Sequence, residues 1–504
     1  MLFNSGVFLL FFLPITLIGY RAISRFGRRP ILGWLAVASL VFYSWWNWHF
    51  TFVLAGSVLV NFTISWCIAK SESPSAKKAW MITGITLNLS ALCYYKYLFH
   101  ILRFFDDVLH VHHGWGDVAL PLGISFFTFT QIAYLIDLSQ GEAAPQNLVE
   151  YTLFVTFFPH LIAGPILHHK EMMPQFLAEG YGRVNPDGML VGLTWFSLGL
   201  AKKCILADTF ASRADQAFVL SDTLRVQGAW CGIISYSLQL YFDFSGYSDM
   251  AIGLARMFSI RFPLNFNSPY KASNIIDFWQ RWHMTLTRYL TVYLYNPISL
   301  AVNRRRLRAG KKVSQKAART LPGFLSMIAW PTLATMFLVG IWHGAGFQFI
   351  LFGVLHGIYL SANHAWRLLR GNEAGRQQSG WLTTSSFALL TYACVLVGQV
   401  FFRASSTTQA LHYLAGMFGG RGWSWHDLPV KGSRVGLVAL GLAIVWLLPN
   451  TQEILGQAGF SLTGSRWQWL GWRPTLQWSV AIGCLFFLSL LYVQNAATFL
   501  YFQF

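Results

Sequence analysis

Two histidines lie inside long apolar segments, where an ionisable side chain is costly and therefore suggests a function. His343 ends the apolar run FLVGIWHGAG at 337–346, and His356 lies in the apolar run that follows. A neutral imidazole accepts the proton of a hydroxyl near physiological pH, as a general base does in acyl transfer. We therefore predict that His343 is catalytic. His356 lies beyond the Gly344–Gly346 break, and we interpret it as structural.

A third histidine, His283, lies in the segment NFNSPYKASNIIDFWQRWHMTLTRYL at 265–290. Asp277 and Arg281 are four residues apart, so they would pair on one face of a helix. His283 is two residues further along, which turns it away from that pair and toward a cavity. We predict that His283 acts with His343. Substrate contacts are also predicted for three polar or aromatic neighbours: Asn267, Trp282 and Trp342.

Two carboxylates interrupt the apolar sequence LQLYFDFSGYSDMAIGLARMF at 238–258. The structural interpretation pairs them with Arg256 or Lys271, or has them cap a helix broken at Gly246. The functional interpretation places them against the substrate. On that second interpretation the substrate-binding candidates are Asp243, Ser245, Tyr247 and Asp249.

The composition is that of a membrane protein. Of the 504 residues 55% are hydrophobic and only 11% are charged, whereas soluble domains carry about 25% charged residues. We predict an all-α, polytopic integral membrane protein forming a single domain over 1–504, with roughly 11 transmembrane helices plus re-entrant or partial helices. The candidate spans are 7–20, 31–48, 50–69, 79–100, 119–138, 151–167, 189–210, 229–251, 325–343, 347–365, 382–402, 434–449 and 475–498.

The net charge of +18 arises from basic loops between apolar runs rather than from one basic face, so nucleic acid is not a predicted partner. Basic loops are typical of the cytoplasmic side of a membrane protein. The acid-free run at 303–320 is therefore predicted to be cytoplasmic, and the acidic loop at 103–118 external. The basic run is also a candidate for binding the anionic phosphates of membrane lipid. Its basic residues are Arg304, Arg305, Arg306, Arg308, Lys311, Lys312, Lys316 and Arg319.

Metal ligation is not indicated by the cysteines or by the remaining histidines. The six cysteines show no CxxC or finger spacing. Two small groups of histidines, at 110–113 and at 168–169, are predicted to be solvated loop residues rather than ligands, because nothing in the sequence supplies further ligands.

Several motifs in order along the chain resemble the membrane-bound O-acyltransferase (MBOAT) superfamily, in particular its alginate O-acetyltransferase-like branch. They are ALPLGISFFTF (119–129), FPHLIAGPI (158–166), YFDFSGYSDMAIG (241–253), FNSPY (266–270), FWQRWHMTL (278–286) and GIWHGAG (340–346). The resemblance implies a helical fold around a tunnel in the bacterial inner membrane. It implies that the family's invariant histidine is His343, and that its second polar position, which is Asn, Asp or His across the superfamily, is His283.

The same resemblance implies acetyl transfer from cytosolic acetyl-CoA, without a bound cofactor, to an exported polysaccharide such as alginate or cellulose. A periplasmic SGNH-hydrolase-like partner often completes that transfer. Two alternatives stay open. One is D-alanyl transfer to teichoic acid, as in a related branch. The other is a transporter of lipid or glycan that performs no chemistry, for which broken helices and membrane carboxylates would also be suitable.

Overall fold

A computed structural model of the chain describes residues 1–111, 113, 115–116, 118–183, 185–370, 380–423, 433–456, 465, 467–493 and 499–500. These residues form helices and connecting loops without strands, which confirms the all-α prediction. The α-helices are Leu13–Ile23, Arg28–Ser44, His49–Lys70, Pro74–Cys93, Phe99–Leu109, Ile124–Ser139, Leu148–Thr156, Phe158–Leu161, His169–Leu177, Pro186–Ala201, Asp208–Val219, Val226–Met257, Ile275–Arg281, Met284–Leu290, Asn296–Arg308, Gln315–Ala318, Leu321–Phe324, Trp330–His343, Phe347–Arg370, Trp381–Arg403, Thr407–Met417, Ser433–Leu447, Thr451–Ile454 and Leu476–Val493.

Short π-helical turns join several of these helices into longer ones. They lie at Phe8–Phe12, Tyr94–Leu98, Lys202–Ala207, Thr291–Tyr295 and Leu325–Ala329. Such turns insert one extra residue into a helix, and they are frequent at functional sites. Two of them bring buried lysines, Lys96 and Lys203, into the interior.

Among the described residues, six helices are long and apolar enough to cross a membrane. They are Phe8–Phe26, His49–Lys70, Pro186–Val219, Leu321–His343, Trp381–Arg403 and Leu476–Val493. Shorter apolar helices, such as Ile124–Ser139, accompany them. Large apolar side chains are exposed along these helices, as expected where lipid rather than water is the surrounding medium. The protein is therefore a multi-pass membrane protein.

The predicted span 151–167 is wrong as a single crossing. Its helix ends at Thr156, and Phe157 leaves the helical conformation with ψ 110° before the short helix Phe158–Leu161. Pro159 explains the interruption, because inside a continuous helix a proline lacks the N–H that would donate and its ring clashes with the carbonyl four residues earlier, whereas it is tolerated in the first turn of a new helix. This broken backbone is buried in protein.

Helix Val226–Met257, which we call the central helix, passes through Gly246 without a break. The predicted helix end at Gly246 is therefore wrong. A Cβ on Gly246 would lie 2.7 Å from the carbonyl oxygen of Gly199, and a Cβ on Gly253 would lie 2.6 Å from that of Gly192. The glycines permit close packing of the central helix against Pro186–Val219, as small residues do between membrane helices.

Candidate active site

His343 is the last residue of helix Leu321–His343, which we call the His343 helix. This helix packs closely on the following helix, Phe347–Arg370, because a Cβ on Gly353 would lie only 2.2 Å from the Met336 carbonyl oxygen. The His343 ring lies 4.9 Å from the ring of Phe402 and 5.8 Å from that of Phe352, centroid to centroid. The imidazole is thus held in a buried, aromatic environment.

The end of the His343 helix is bound by two polar side chains from another helix. Lys96, which is buried, donates from Nζ to the carbonyl oxygen of Trp342. The Tyr97 hydroxyl donates to the carbonyl oxygen of Ile341 at 2.9 Å. Both acceptors belong to the last turn, whose carbonyls have no partner within the helix. A cation at this end also interacts favourably with the helix dipole, so the backbone beside His343 is fixed.

His283 lies between helices Ile275–Arg281 and Met284–Leu290 in a left-handed backbone conformation, with φ 43° and ψ 53°. A non-glycine residue in this conformation is uncommon and costs of order 1 kcal/mol or more, so it persists only where the surroundings impose it. Here the surroundings are main-chain hydrogen bonds on both sides. The amide of Asn267 donates to the Arg281 carbonyl, and the amide of Met284 donates to the Asn265 carbonyl, each at 2.9 Å.

The Asn265 side chain fixes which nitrogen of His283 carries the hydrogen. The main-chain amide of Thr285 donates to Asn265 Oδ1 at 3.4 Å, and the Thr285 hydroxyl donates to it at 2.8 Å. This atom is therefore the amide oxygen and acts as an acceptor. Since His283 Nδ1 lies 2.9 Å from it, Nδ1 must be the donor. Nε2 of the neutral ring then keeps its lone pair, as a proton acceptor requires.

His283 and His343 line the same cavity. The sequence predicted that these two residues act together, and the structure places them together. The predicted Asp277–Arg281 pair also forms, at 2.7 Å, and leaves His283 to face the cavity. Most of the lining is apolar or aromatic; the lining residues are Leu240, Phe278, Trp279, Trp282, His283, Leu286, His343, Phe352, His356, Val395, Gln399 and Phe402.

The predicted carboxylates lie elsewhere, in ion pairs with lysines. Asp243 lies 2.6 Å from Lys203 Nζ, and Asp249 lies 2.6 Å from Lys202 Nζ. The predicted partners, Arg256 and Lys271, are therefore wrong for these pairs. The lysines lie in the π-helical turn at Lys202–Ala207, directly across the glycine contact from the central helix.

The oxygens of these aspartates bind further donors. Asp249 accepts from Trp195 Nε1 at 3.1 Å and from the Thr451 hydroxyl at 2.7 Å. Asp243 accepts from the Leu500 amide at 2.9 Å. Neither aspartate is among the residues that line the histidine cavity. The structural interpretation of this cluster is therefore favoured over substrate contact.

Four other predicted substrate-binding residues also lie outside the cavity lining. The Tyr247 ring is stacked between Phe3 at 4.7 Å and Phe499 at 4.6 Å. Asn267 Oδ1 accepts from the side-chain amide of Asn450 at 3.1 Å. Ser245 is buried on the central helix, and Trp342 stacks on Phe129 beside His343. Of the predicted substrate contacts, only Trp282 lines the cavity with the two histidines.

The two small groups of histidines at 110–113 and 168–169 differ in their surroundings. His113 is exposed and lies 2.8 Å from Asp106, as a loop residue would. His112, and Asp117 of the same predicted external loop, lie outside the described residues. The prediction of solvated residues is wrong for the other pair, because His169 is buried and His168 Nδ1 lies 3.2 Å from the Tyr293 hydroxyl.

Sequence reasoning missed two polar residues of the site: Asn265, which orients His283, and Gln399, which lines the cavity. His356, which the sequence analysis interpreted as structural, also lines the cavity. Trp279 Nε1 donates to His356 Nδ1 at 3.3 Å, so His356 has a fixed structural partner as well as a cavity position. A buried glutamine in the apolar run 382–402 is a sequence signal that could have identified Gln399. Asn265 has no comparable signal, because nothing in the sequence distinguishes it from the nearby Asn267.

Comparison with known proteins places the chain in a family. Residues 108–310 match the model of the membrane-bound O-acyltransferase family, MBOAT, and this range contains His283. The chain is 38% identical to a peptidoglycan O-acetyltransferase of Helicobacter pylori over 462 residues, which are 86% of this chain and 83% of that protein. It is 36% identical to a probable alginate O-acetylase of Pseudomonas aeruginosa over 460 residues, 88% of this chain and 81% of that protein.

A more distant similarity joins the chain to a teichoic acid D-alanyltransferase of Streptococcus thermophilus. The two are 27% identical over 260 residues, which are 49% of this chain and 57% of that protein. The similarity to the two O-acetylating proteins is higher and extends over most of each chain. The chain belongs to the membrane-bound O-acyltransferase family, and it is an O-acyltransferase.

Proposed function

We propose that this protein transfers acetyl groups from acetyl-CoA to hydroxyls of an exported glycan. The observation that carries the proposal is the shared cavity of His283 and His343, whose walls are otherwise mostly apolar. Water-poor surroundings strengthen each polar contact to a reacting group, and they limit hydrolysis of the donor thioester. The names of the two O-acetylating relatives support acetyl as the group and a cell-envelope polymer as the acceptor.

The chemistry assigns a role to each histidine. His343 takes the proton of the attacking hydroxyl, whose oxygen bonds to the thioester carbonyl carbon. His283 holds the reacting group or stabilises the tetrahedral oxyanion. The intermediate collapses by breaking the carbon–sulfur bond, and the departing thiolate takes the proton back from His343. The products are an acetyl ester and free coenzyme A, so no covalent enzyme intermediate is needed.

The acceptor hydroxyl belongs either to the glycan itself or to the serine of a periplasmic SGNH-hydrolase-like partner. In both cases the donor reaches the cavity from the cytosol through the protein, because a hydrated nucleotide does not enter lipid. We place the protein in the bacterial inner membrane with the basic run at 303–320 on the cytoplasmic side. That run is helical to Arg308 and again at Gln315–Ala318, and its basic side chains are mostly exposed.

Transfer of D-alanine is the second candidate function, and the Streptococcus thermophilus relative supports it less strongly because it matches only about half of this chain. The two functions differ in the donor. A D-alanyl transferase of that kind uses a carrier-protein thioester, whereas the proposed reaction uses acetyl-CoA. A transporter without chemistry would use neither.

The test is transfer by purified protein in proteoliposomes. With radiolabelled acetyl-CoA and either an alginate oligosaccharide or a peptidoglycan fragment, we expect release of free coenzyme A and label in the acceptor. If label reaches the acceptor only after the periplasmic partner is added, transfer proceeds through the partner serine. Absence of label transfer from acetyl-CoA under all these conditions, with transfer of D-alanine from its carrier, would replace the proposal with the second candidate.

A further inference from the structure

Gln399 is a polar side chain in the otherwise apolar part of the cavity wall. It lies on helix Trp381–Arg403, and 4% of its surface is exposed. Its neighbours in the lining include Val395 and Phe402 from the same helix and Leu240 from the central helix. A buried amide in such surroundings needs hydrogen-bond partners for both its oxygen and its nitrogen.

A chain of hydrogen bonds fixes the orientation of this amide. The Tyr270 hydroxyl has a single hydrogen, and it donates this to the Ser237 carbonyl at 2.9 Å. The contact between Gln399 and the Tyr270 oxygen at 3.1 Å must then be a donation from the amide nitrogen, Nε2. Tyr270 is itself buried, and it packs at 4.8 Å on Tyr392. The orientation is therefore set by the protein before any substrate binds.

The amide oxygen of Gln399 is left as an acceptor. Oε1 is buried, and among the described residues it has no hydrogen-bond partner. An unsatisfied buried acceptor costs about 1–3 kcal/mol, and nearly all buried polar groups in proteins are paired. A ligand that donates a hydrogen bond inside the cavity would remove this cost.

We propose that Gln399 Oε1 is a substrate-binding group that accepts a hydrogen bond from an N–H or O–H of the molecule in the histidine cavity. Two sources have this chemistry. One is an amide N–H in the pantetheine arm of the acyl donor, and the other is a hydroxyl of the sugar acceptor. The inference rests on the proposed function for the identity of these ligands, and it assigns a recognition residue to the wall formed by helix Trp381–Arg403.

The test is equilibrium binding by calorimetry with the full chain in detergent. The probes are a non-reactive thioether analogue of acetyl-CoA, a short alginate oligosaccharide and a peptidoglycan disaccharide. Gln399→Met removes the acceptor with little change in volume. The matched control is Gln239→Met, because Gln239 is equally buried with an unpartnered Oε1 among the described residues but does not line the cavity.

We expect Gln399→Met to weaken binding of one probe about tenfold, which corresponds to one hydrogen bond, while Gln239→Met leaves all binding unchanged. Weaker binding of the thioether identifies the donor amide, and weaker binding of a saccharide identifies the acceptor hydroxyl. Tyr270→Phe, which frees the amide to rotate, should weaken the same probe by a smaller factor. It also serves as the second variant if Gln399→Met does not fold.

Unchanged binding of all three probes in folded Gln399→Met or Tyr270→Phe would overturn the inference. Binding is measured without turnover, so this result is separate from a failure of the proposed function. An inactive wild-type protein that binds a probe through Gln399 would contradict acetyl transfer and leave the recognition role in place.

Discussion

The histidine cavity and the lysine–aspartate pairs both border the central helix, but their polar groups are partnered differently. Asp243 and Asp249 bind lysines, a tryptophan, a threonine and a main-chain amide. His283 and His343 instead face a shared open space with mostly aromatic walls. The ion pairs occupy the interface between two closely packed helices, whereas the histidines lie at helix ends.

This difference shows why an ionisable residue at membrane depth does not by itself identify an active site. A carboxylate in an apolar environment is tolerated when an opposite charge and further donors surround it, and such a group has little capacity left for a substrate. A neutral imidazole needs no counter-ion. It can therefore stand at the edge of a cavity, with one nitrogen held by the protein and the other directed to a reacting group.

The largest expected effect belongs to His343. His343→Gln keeps a polar side chain of similar size but removes the base, so acetyl transfer in proteoliposomes should fall about 10²-fold or more. The variant should remain folded and inserted in the membrane, as judged by its yield and its melting temperature in detergent. Activity near that of the wild type would make His343 structural, like the aspartates.

A smaller effect is expected for the residue that orients His283. Asn265→Leu removes the acceptor for Nδ1–H and should lower kcat about tenfold. Asn265→Asp retains an acceptor oxygen and should keep more activity than the leucine variant, which a merely structural role would not predict. Asn267→Leu is the matched control, because Asn267 binds Asn450 outside the cavity lining. Equal losses at both asparagines would contradict the orienting role.

The ion pairs should affect stability rather than chemistry. Asp243→Leu leaves Lys203 buried with only Asp208, at 2.9 Å, as its remaining acidic partner. Removal of one member of a buried pair costs about 3–5 kcal/mol, and Asp208 should keep the loss at the lower end. The melting temperature should therefore fall, while kcat per folded molecule stays unchanged. A specific loss of kcat in folded protein would move Asp243 into the active site.

The sequence could single out the two histidines because each has a local signal. His343 ends an apolar run, and His283 follows a helical ion pair that does not include it. The backbone conformation gives a further reason for a histidine at position 283, which the spacing of residues alone does not show. Residues in the left-handed region are enriched in Asn, Asp and His, and these are the types that the family resemblance implies at position 283. His283 adopts that conformation, so the choice of residue is restricted by backbone geometry as well as by chemistry.

The partners of the aspartates were not predictable from local spacing. Arg256 and Lys271 are near in sequence, but the contact of glycines at 192 and 199 with those at 253 and 246 brings Lys202 and Lys203 to the central helix instead. Such a contact depends on how two helices pack, which a single sequence leaves open. The orienting role of Asn265 was not predictable for the same reason, since it depends on which main-chain segment pairs with the break at His283.

The most direct test of the shared cavity is a double-mutant cycle of His283→Ala and His343→Ala, measured as the rate of acetyl transfer in proteoliposomes. If the two imidazoles act as one unit, the double variant should be little slower than His343→Ala alone, because residues that act together are strongly non-additive. If the two losses multiply instead, the histidines act independently, and the account of a single site formed by His283 and His343 is contradicted.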